Sequence, residues 1–136
     1  MDVAEALDFL RSNHRAVLAT RRRDGTPQLS PVTVAVDGSG RVVISTRETA
    51  LKTRNVERSP HAWLCGFTDG FFGPWVQVAG PVEVVRLPEA LDLLVDYYRQ
   101  VSGEHPDWDD YRAAMVRDRR VLLRLTPESV GPTVSG

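Results

Sequence analysis

Lys52 is the single lysine among 17 basic side chains, and it stands in Lys52-Thr53-Arg54-Asn55 shortly after Ser45-Thr46-Arg47. Hydroxyls and cations gathered at a helix N-terminus, where backbone N–H groups are free, form a ready site for a phosphate. The plainer reading of the same residues is a solvated helix face, since Arg54 and Arg58 lie four apart. A second group is aromatic: Phe71, Phe72 and Trp75 sit among Gly70, Gly73 and Pro74. Flat side chains on a pliable segment can wall a ring-shaped ligand, or equally pack a core. Together the two groups fit a planar, phosphorylated ligand.

Other reactive residue types read as structural. His14 adjoins Arg15 at a helix end and His61 opens a strand after Ser59-Pro60. Cys65, between Leu64 and Gly66, is expected to be a small buried hydrophobe, without the basic setting a nucleophile needs. Ser30 has no nucleophile elbow around it. Asp107, Asp109 and Asp110 flank Trp108 where a helix should start, so they are read as caps. Three scattered histidines and one cysteine give no metal framework, and no metal is expected.

Charge bounds the partners. The chain has 17 basic and 18 acidic residues, yet residues 11–58 hold ten basic and four acidic, a local excess of +6 that could face an anion. A nucleic-acid binder of this size would carry a higher overall charge than −1 and exposed strand aromatics. No apolar run reaches the roughly 18 residues of a membrane span, and the N-terminus lacks a basic-then-apolar leader. The expectation is a cytoplasmic protein, a single domain over residues 1–136, with no nucleic-acid or membrane partner.

The elements that must position these residues follow from periodicity. Val3, Ala6, Leu7 and Leu10 have helical spacing, with Asp2 and Glu5 placed as a capping box. Ala16 to Thr20 and Gln28 to Val36 flank the Asp24-Gly25 turn as a hairpin, and Val42 to Thr46 follows Asp37-Gly38-Ser39-Gly40 as a third strand. Thr49 to Arg58 reads as a short helix capped by Thr49 and stopped at Ser59-Pro60. His61 to Thr68 and Trp75 to Arg86 are strands, the second interrupted at Gly80-Pro81 by a bulge or an edge. Leu91, Leu94, Val95 and Tyr98 predict a helix after Pro88, Asp107 to Arg117 another, and Val121 to Leu125 a closing strand. The tail from about residue 128 is expected to be loose. About six strands in hairpins favour an α+β antiparallel sheet curled into a barrel, without Rossmann alternation or a Gly-rich phosphate loop.

Val17-Leu18-Ala19-Thr20, Asp24-Gly25-Thr26-Pro27-Gln28-Leu29-Ser30-Pro31-Val32 and Lys52-Thr53-Arg54-Asn55 followed by Pro60 resemble, in order and spacing, the pyridoxamine phosphate oxidase-like, FMN-binding split β-barrel superfamily. Gly103 to Arg112, with Trp108-Asp109-Asp110-Tyr111-Arg112, Met115 and Asp118 to Leu123, resembles its branch that uses the deazaflavin coenzyme F420. The resemblance covers roughly residues 5 to 126. It implies a six-stranded antiparallel split barrel and a homodimer whose cofactor clefts lie between subunits. It also implies that Lys52 and Arg120 hold the cofactor phosphate, that Ser45 and Thr46 add hydroxyl contacts, and that Ser30-Pro31-Val32 lies along the ring system. Gln28, Arg47, Arg54 and Trp75 complete the candidate cofactor-binding set. Some relatives carry an arginine two residues before the lysine, where this chain has Ala50 and only Arg47 nearby. Pro31 has no N–H, so a backbone donor to the ring must come from Val32 or a neighbour.

The activity implied is hydride transfer from reduced F420 to an unsaturated small organic substrate, with no residue standing out as the acid. The alternatives are an FMN-binding oxidase-type flavoprotein and a non-catalytic cofactor- or haem-binding relative. FMN ends at its phosphate whereas F420 continues into an anionic tail, so the +6 excess leans toward F420.

Overall fold

In the computed structural model, which describes residues 1–132, eight strands and four helices alternate as α1 (Val3–Ser12), β1 (Arg15–Arg21), β2 (Pro27–Thr33), β3 (Ala35–Val36), β4 (Val42–Arg47), α2 (Leu51–Arg58), β5 (His61–Phe67), β6 (Trp75–Val85), α3 (Ala90–Ser102), α4 (Trp108–Arg117), β7 (Arg120–Leu125) and β8 (Ser129–Gly131). The pairings are antiparallel, in the order β2-β1-β5-β6-β7-β4-β3, with β8 added to β6. The two end strands of this sheet, β2 and β3, are consecutive in the chain and join through Val34. The curled sheet is therefore split along a seam between β2 and β4, which is the expected α+β split barrel.

Two expected strand boundaries change. The predicted Gln28 to Val36 strand is two strands, because the chain turns at Val34 from one sheet edge to the other. The Val34 N–H donates to the His14 carbonyl at 2.8 Å there. The tail predicted loose from about residue 128 forms β8 against Gln77, Val78 and Ala79 of β6; residues 133–136 lie outside the described part. A three-residue strand is too short for periodicity to reveal.

The Gly80-Pro81 interruption is neither a bulge nor an edge but the place where β6 changes partner. Residues up to Pro81 pair with β5, and Val82 to Val85 pair with β7. The segment after β7 crosses directly over Gly80, and a Cβ there would sit 1.8 Å from the Thr126 carbonyl oxygen. Only glycine lets the two backbones approach so closely.

The barrel interior is filled by Leu18, Val34, Val42, Ile44, Leu64, Val76, Val78, Leu123 and Leu125, closed by Leu7 and Leu10 of α1 and Val56 of α2. Asp2 and Glu5 form the predicted capping box on α1. A second cluster lies outside the barrel, where Ala90, Leu94, Val95 and Tyr111 of α3 and α4 cover Ala35, Val43 and Leu122 of the sheet. The Trp108 to Arg112 segment belongs to this packing. Tyr98, His105, Trp108 and Tyr111 form mutual ring contacts at centroid distances of 5.0 to 5.8 Å. Cys65 is exposed rather than buried, because strand alternation sends it outward with its cross-strand partners Val17 and Gln77.

Candidate cofactor cleft

The seam of the split barrel opens into a cleft of about 540 Å³. Pro31, Val32 and Thr33 of β2 form one wall, Ser45 and Thr46 of β4 with Arg120 of β7 the other, and Lys52 of α2 stands between them. Arg15, Phe67 and Tyr97 complete the rim. The lining carries three cations, Arg15, Lys52 and Arg120, and no acidic side chain among the described residues. Asp69 pairs with Arg15 from outside at 3.0 Å.

The Lys52-Thr53-Arg54-Asn55 segment has a physical explanation. The Thr53 hydroxyl donates to the Arg47 carbonyl at 2.8 Å, tying the start of α2 to the end of β4. The buried Asn55 amide donates to the buried Thr20 hydroxyl of β1 at 3.1 Å, and Thr20 in turn reaches Gln28 of β2 at 3.3 Å. Arg58 finishes the strut, donating to the Asn55 side chain at 3.1 Å and to the Arg21 carbonyl at 2.8 Å. A satisfied buried network of this kind fixes orientation, and what it orients is Lys52 at the mouth of the helix. The N-cap of α2 is Ala50, which offers no side-chain bond, so the predicted Thr49 cap is absent. The first N–H groups of the helix thus remain available to an anion beside Lys52.

Two buried side-chain atoms have no partner among the described residues, Arg120 Nε and Ser30 Oγ. An orphaned buried guanidinium nitrogen is costly unless something else satisfies it, and Arg120 lines the cleft. With Lys52, Ser45, Thr46 and the open helix end, it makes a donor set suited to a phosphate. The apolar surfaces of Pro31, Val32 and Phe67 suit a flat ring. The residues present fit a phosphorylated flavin-type cofactor.

Of the candidate set, Pro31, Val32, Ser45, Thr46, Lys52 and Arg120 converge on this cleft, and Gln28, Ser30, Arg47, Arg54 and Trp75 do not line it. Gln28 serves the strut. Ser30 points inward beside Leu18, since it shares the register of the core-facing residues. Arg47 contributes its backbone carbonyl to Thr53 while its side chain is exposed. Arg54 is exposed on α2, and Trp75 pairs with Phe67 across the strand at the outer face. Sequence reasoning missed Arg15, Ala16, Thr33, Phe67 and Tyr97. The Tyr97 hydroxyl donates to the Thr33 carbonyl at 2.9 Å. Burial pushes this phenol above its ordinary value, against the pull of the Ser45 backbone and of Arg120, so it stays a neutral donor.

The sequence profile described as pyridoxamine 5′-phosphate oxidase matches residues 3–133. A conserved hypothetical protein from Mycobacterium tuberculosis superposes with a TM-score of 0.79 at 25% identity, covering 100% of this chain and 93% of the other. An F420 reductase superposes at 0.70 with 23% identity over 91% and 94% of the two chains. A haem storage protein from Vibrio cholerae gives 0.71 at 17% identity over 96% and 94%. At such identities the last two speak for the fold alone.

Proposed function

The chain belongs to the pyridoxamine 5′-phosphate oxidase family, and on that premise we propose that it is an F420-dependent reductase acting on an unsaturated small organic substrate. The observation that carries the reading is the cleft itself: a cationic end built from Lys52, Arg120 and the open N-terminus of α2, continuous with an apolar wall at Pro31 and Val32. When bound, reduced F420 supplies a hydride. The protein binds and orients: Lys52 and Arg120 neutralise the phosphate, Ser45 and Thr46 donate to its oxygens, and Pro31-Val32 backs the ring so that its free face meets substrate.

Arg120 also lines a smaller cavity of about 160 Å³ with Arg86, Arg119 and Glu48. Glu48 bonds both Arg86 and Arg119, and Glu57 bonds Arg86 at 3.1 Å from outside the lining, so three arginines against two acids leave a small positive excess. An anionic tail leaving the cleft past Arg120 meets this second basic patch, a feature FMN has no use for. That favours F420 over the FMN reading. A second copy of the chain is the expected partner, packed on the uncovered face of β1, β5 and β6, and the expected location is the cytoplasm.

Titration by absorption and fluorescence quenching with F420 and FMN tests the proposal. F420 binding should be the tighter and the more salt-sensitive, and reduced F420 should be oxidised by acceptors without peroxide formation. Lys52→Ala should weaken F420 binding by about ten- to a hundredfold, the loss of a charge-assisted contact worth about 1.5 to 3 kcal/mol. Tight FMN binding with peroxide production and no F420 binding would promote the oxidase alternative. A Soret band with haem and affinity for neither flavin would promote the haem-binding one.

A further inference from the structure

Behind the cofactor cleft lies a second cavity, of about 370 Å³, at the seam between α3 and the outer face of β3, β4 and β7. That is at the small end of the roughly 300 to 1,000 Å³ that ligand sites occupy. Its floor is apolar, made by Ala35, Val43, Leu93 and Leu122, and its rim carries Asp37, Asp96 and Arg124. One Asp37 oxygen is engaged, accepting from the Ser39 N–H at 2.9 Å, the Ser39 hydroxyl at 2.7 Å and the Arg41 N–H at 3.0 Å, so the rim carboxylates are incompletely answered only at Asp96 and at the other Asp37 oxygen. Asp96 has Arg99 only at 4.0 Å, and Arg99 is committed to Glu104 at 2.9 Å. The outer oxygen of Asp37 has Arg124 only at 4.0 Å, and Arg124 is committed to Glu83 at 2.6 Å. Glu83 is shared in turn with Arg41 at 3.2 Å. Each nearby arginine therefore spends its close contact on another acid, and the mouth of the cavity keeps a negative field over an apolar pit.

The walls of this cavity are tied to the cleft. Tyr97 lines both cavities, and its hydroxyl holds the Thr33 carbonyl at the end of the β2 wall. Three residues along the same helix, Gln100 accepts from the Val36 N–H at 2.6 Å and donates to the Val36 carbonyl at 2.7 Å. The Gln100 amide takes the place of a neighbouring strand on the free edge of β3. One helix face thus clips the two segments on either side of Val34, and the second cavity sits under that clip.

We propose that this cavity is a binding site for a small organic monocation, an ammonium head on an apolar ring or short chain, with its head at Asp96 and Asp37 and its body on Leu93, Val43 and Leu122. A body seated there packs the far side of the Tyr97 ring and steadies its bond to Thr33. Occupancy therefore strengthens cofactor binding in the cleft, a coupling that rests on the cleft being a cofactor site. The cation site itself does not.

The probe is phenethylammonium, with 3-phenylpropionate as the charge-reversed match, titrated into protein carrying ¹³C-labelled tyrosine without cofactor. Phenethylammonium should shift the Tyr97 ring resonance, assigned by Tyr97→Phe, saturably with a Kd of about 1 mM or tighter, and the carboxylate should bind at least about tenfold more weakly. Asp96→Asn, an exposed change that leaves the core intact, should weaken the amine about fivefold, and Leu93→Trp should abolish binding by filling the pit. Equal binding of both probes, no saturable shift of Tyr97, or an unaltered Kd in Asp96→Asn overturns the site. With amine saturating, the Kd of F420 or FMN should fall about fivefold, and an unchanged value overturns the coupling. Amine binding by a protein that takes up neither flavin would sink the reductase reading and leave the cation site standing.

Discussion

The outer surface of the sheet is finished in two different ways. Over β3, β4 and β7 the chain supplies its own cover, with α3 and α4 burying Ala35, Val43 and Leu122 beneath Leu94, Val95 and Tyr111. Over β2, β1, β5 and β6 the described residues supply no helix. Leu29 is 64% exposed, Trp75 37%, and Phe71 and Phe72 of the adjoining loop 63% and 88%. Pro31, Val17, Cys65 and Gln77 run across that face in register. Exposed large apolar side chains gathered on one half of a sheet mark it as a candidate interaction face. The difference teaches that, among the described residues, one half-sheet carries its own helical cover while the other leaves apolar side chains bare, and the cleft opens along the seam of that same barrel. The proposed homodimer would cover it with a second copy of the chain.

The largest effect is expected at the junction of the two halves. Gly80→Ala places a methyl 1.8 Å from the Thr126 carbonyl oxygen, so either β6 or the crossing segment after β7 must move. A cost of at least about 3 kcal/mol is expected, because the clash is with backbone and no rotamer change relieves it. Chemical denaturation measures it. A loss under about 1 kcal/mol would mean that the crossing is pliable and that the two halves are not locked together at β6.

A smaller, more selective effect is expected on the uncovered half. Leu29→Asp and Phe72→Asp change exposed positions, so each should leave monomer stability within about 0.5 kcal/mol of the parent. If a second copy covers this face, each should weaken self-association by about 2 kcal/mol or more, seen by light scattering as a shift from two chains to one across the micromolar range. F420 binding should then fall with the dimer. A parent protein that is monomeric with or without cofactor breaks the comparison on this side, since the bare face would need another occupant.

How far these features were legible in the sequence depends on whether local chemistry or distant packing decides them. The capping box at Asp2 and Glu5, the Asp24-Gly25 turn and the helix carrying Lys52 were readable because each is settled by residues within one or two turns. Lys52, Ser45 and Thr46 were legible as a candidate anion group for the same reason, but that reading also took in Arg54 and Arg58, which lie off the cleft, and Arg120 entered through the family resemblance alone. Tyr97 was not. It lies off the Leu91, Leu94, Val95, Tyr98 stripe that packs α3, and only the tertiary placement of that helix over the β2–β3 turn brings its hydroxyl to Thr33. Arg15 was read only as the neighbour of His14 at a helix end, whereas it opens β1 on the rim of the cleft, and Arg47 looked like a substitute cation although the strand directs it outward. Cys65 shows the converse error: an apolar neighbourhood in sequence says nothing about which face of a strand will be covered.

The smallest expected effect belongs to the covered half and tests whether its cover is as tight as it looks. The Tyr111 hydroxyl donates to the Leu94 carbonyl at 2.8 Å, joining α4 to α3 above Leu122. Burial raises this phenol to about 12, with Tyr97 adding to the shift and Arg120 opposing it. An acid whose folded pKa lies above its unfolded value, about 10 for tyrosine, keeps its full contribution below that unfolded value. Between pH about 10 and about 12 the unfolded chain gives up the proton while the folded chain holds it, so stability falls as pH rises through that window. Tyr111→Phe removes the titrating proton together with one hydrogen bond. It should cost about 1 kcal/mol at neutral pH and also flatten the alkaline decline, so that the two stability curves converge toward high pH. Urea titrations at pH 8 and above measure both effects. Parallel curves would show that Tyr111 titrates alike in both states, and that α3 and α4 cover their half of the sheet more loosely than the other half is left bare.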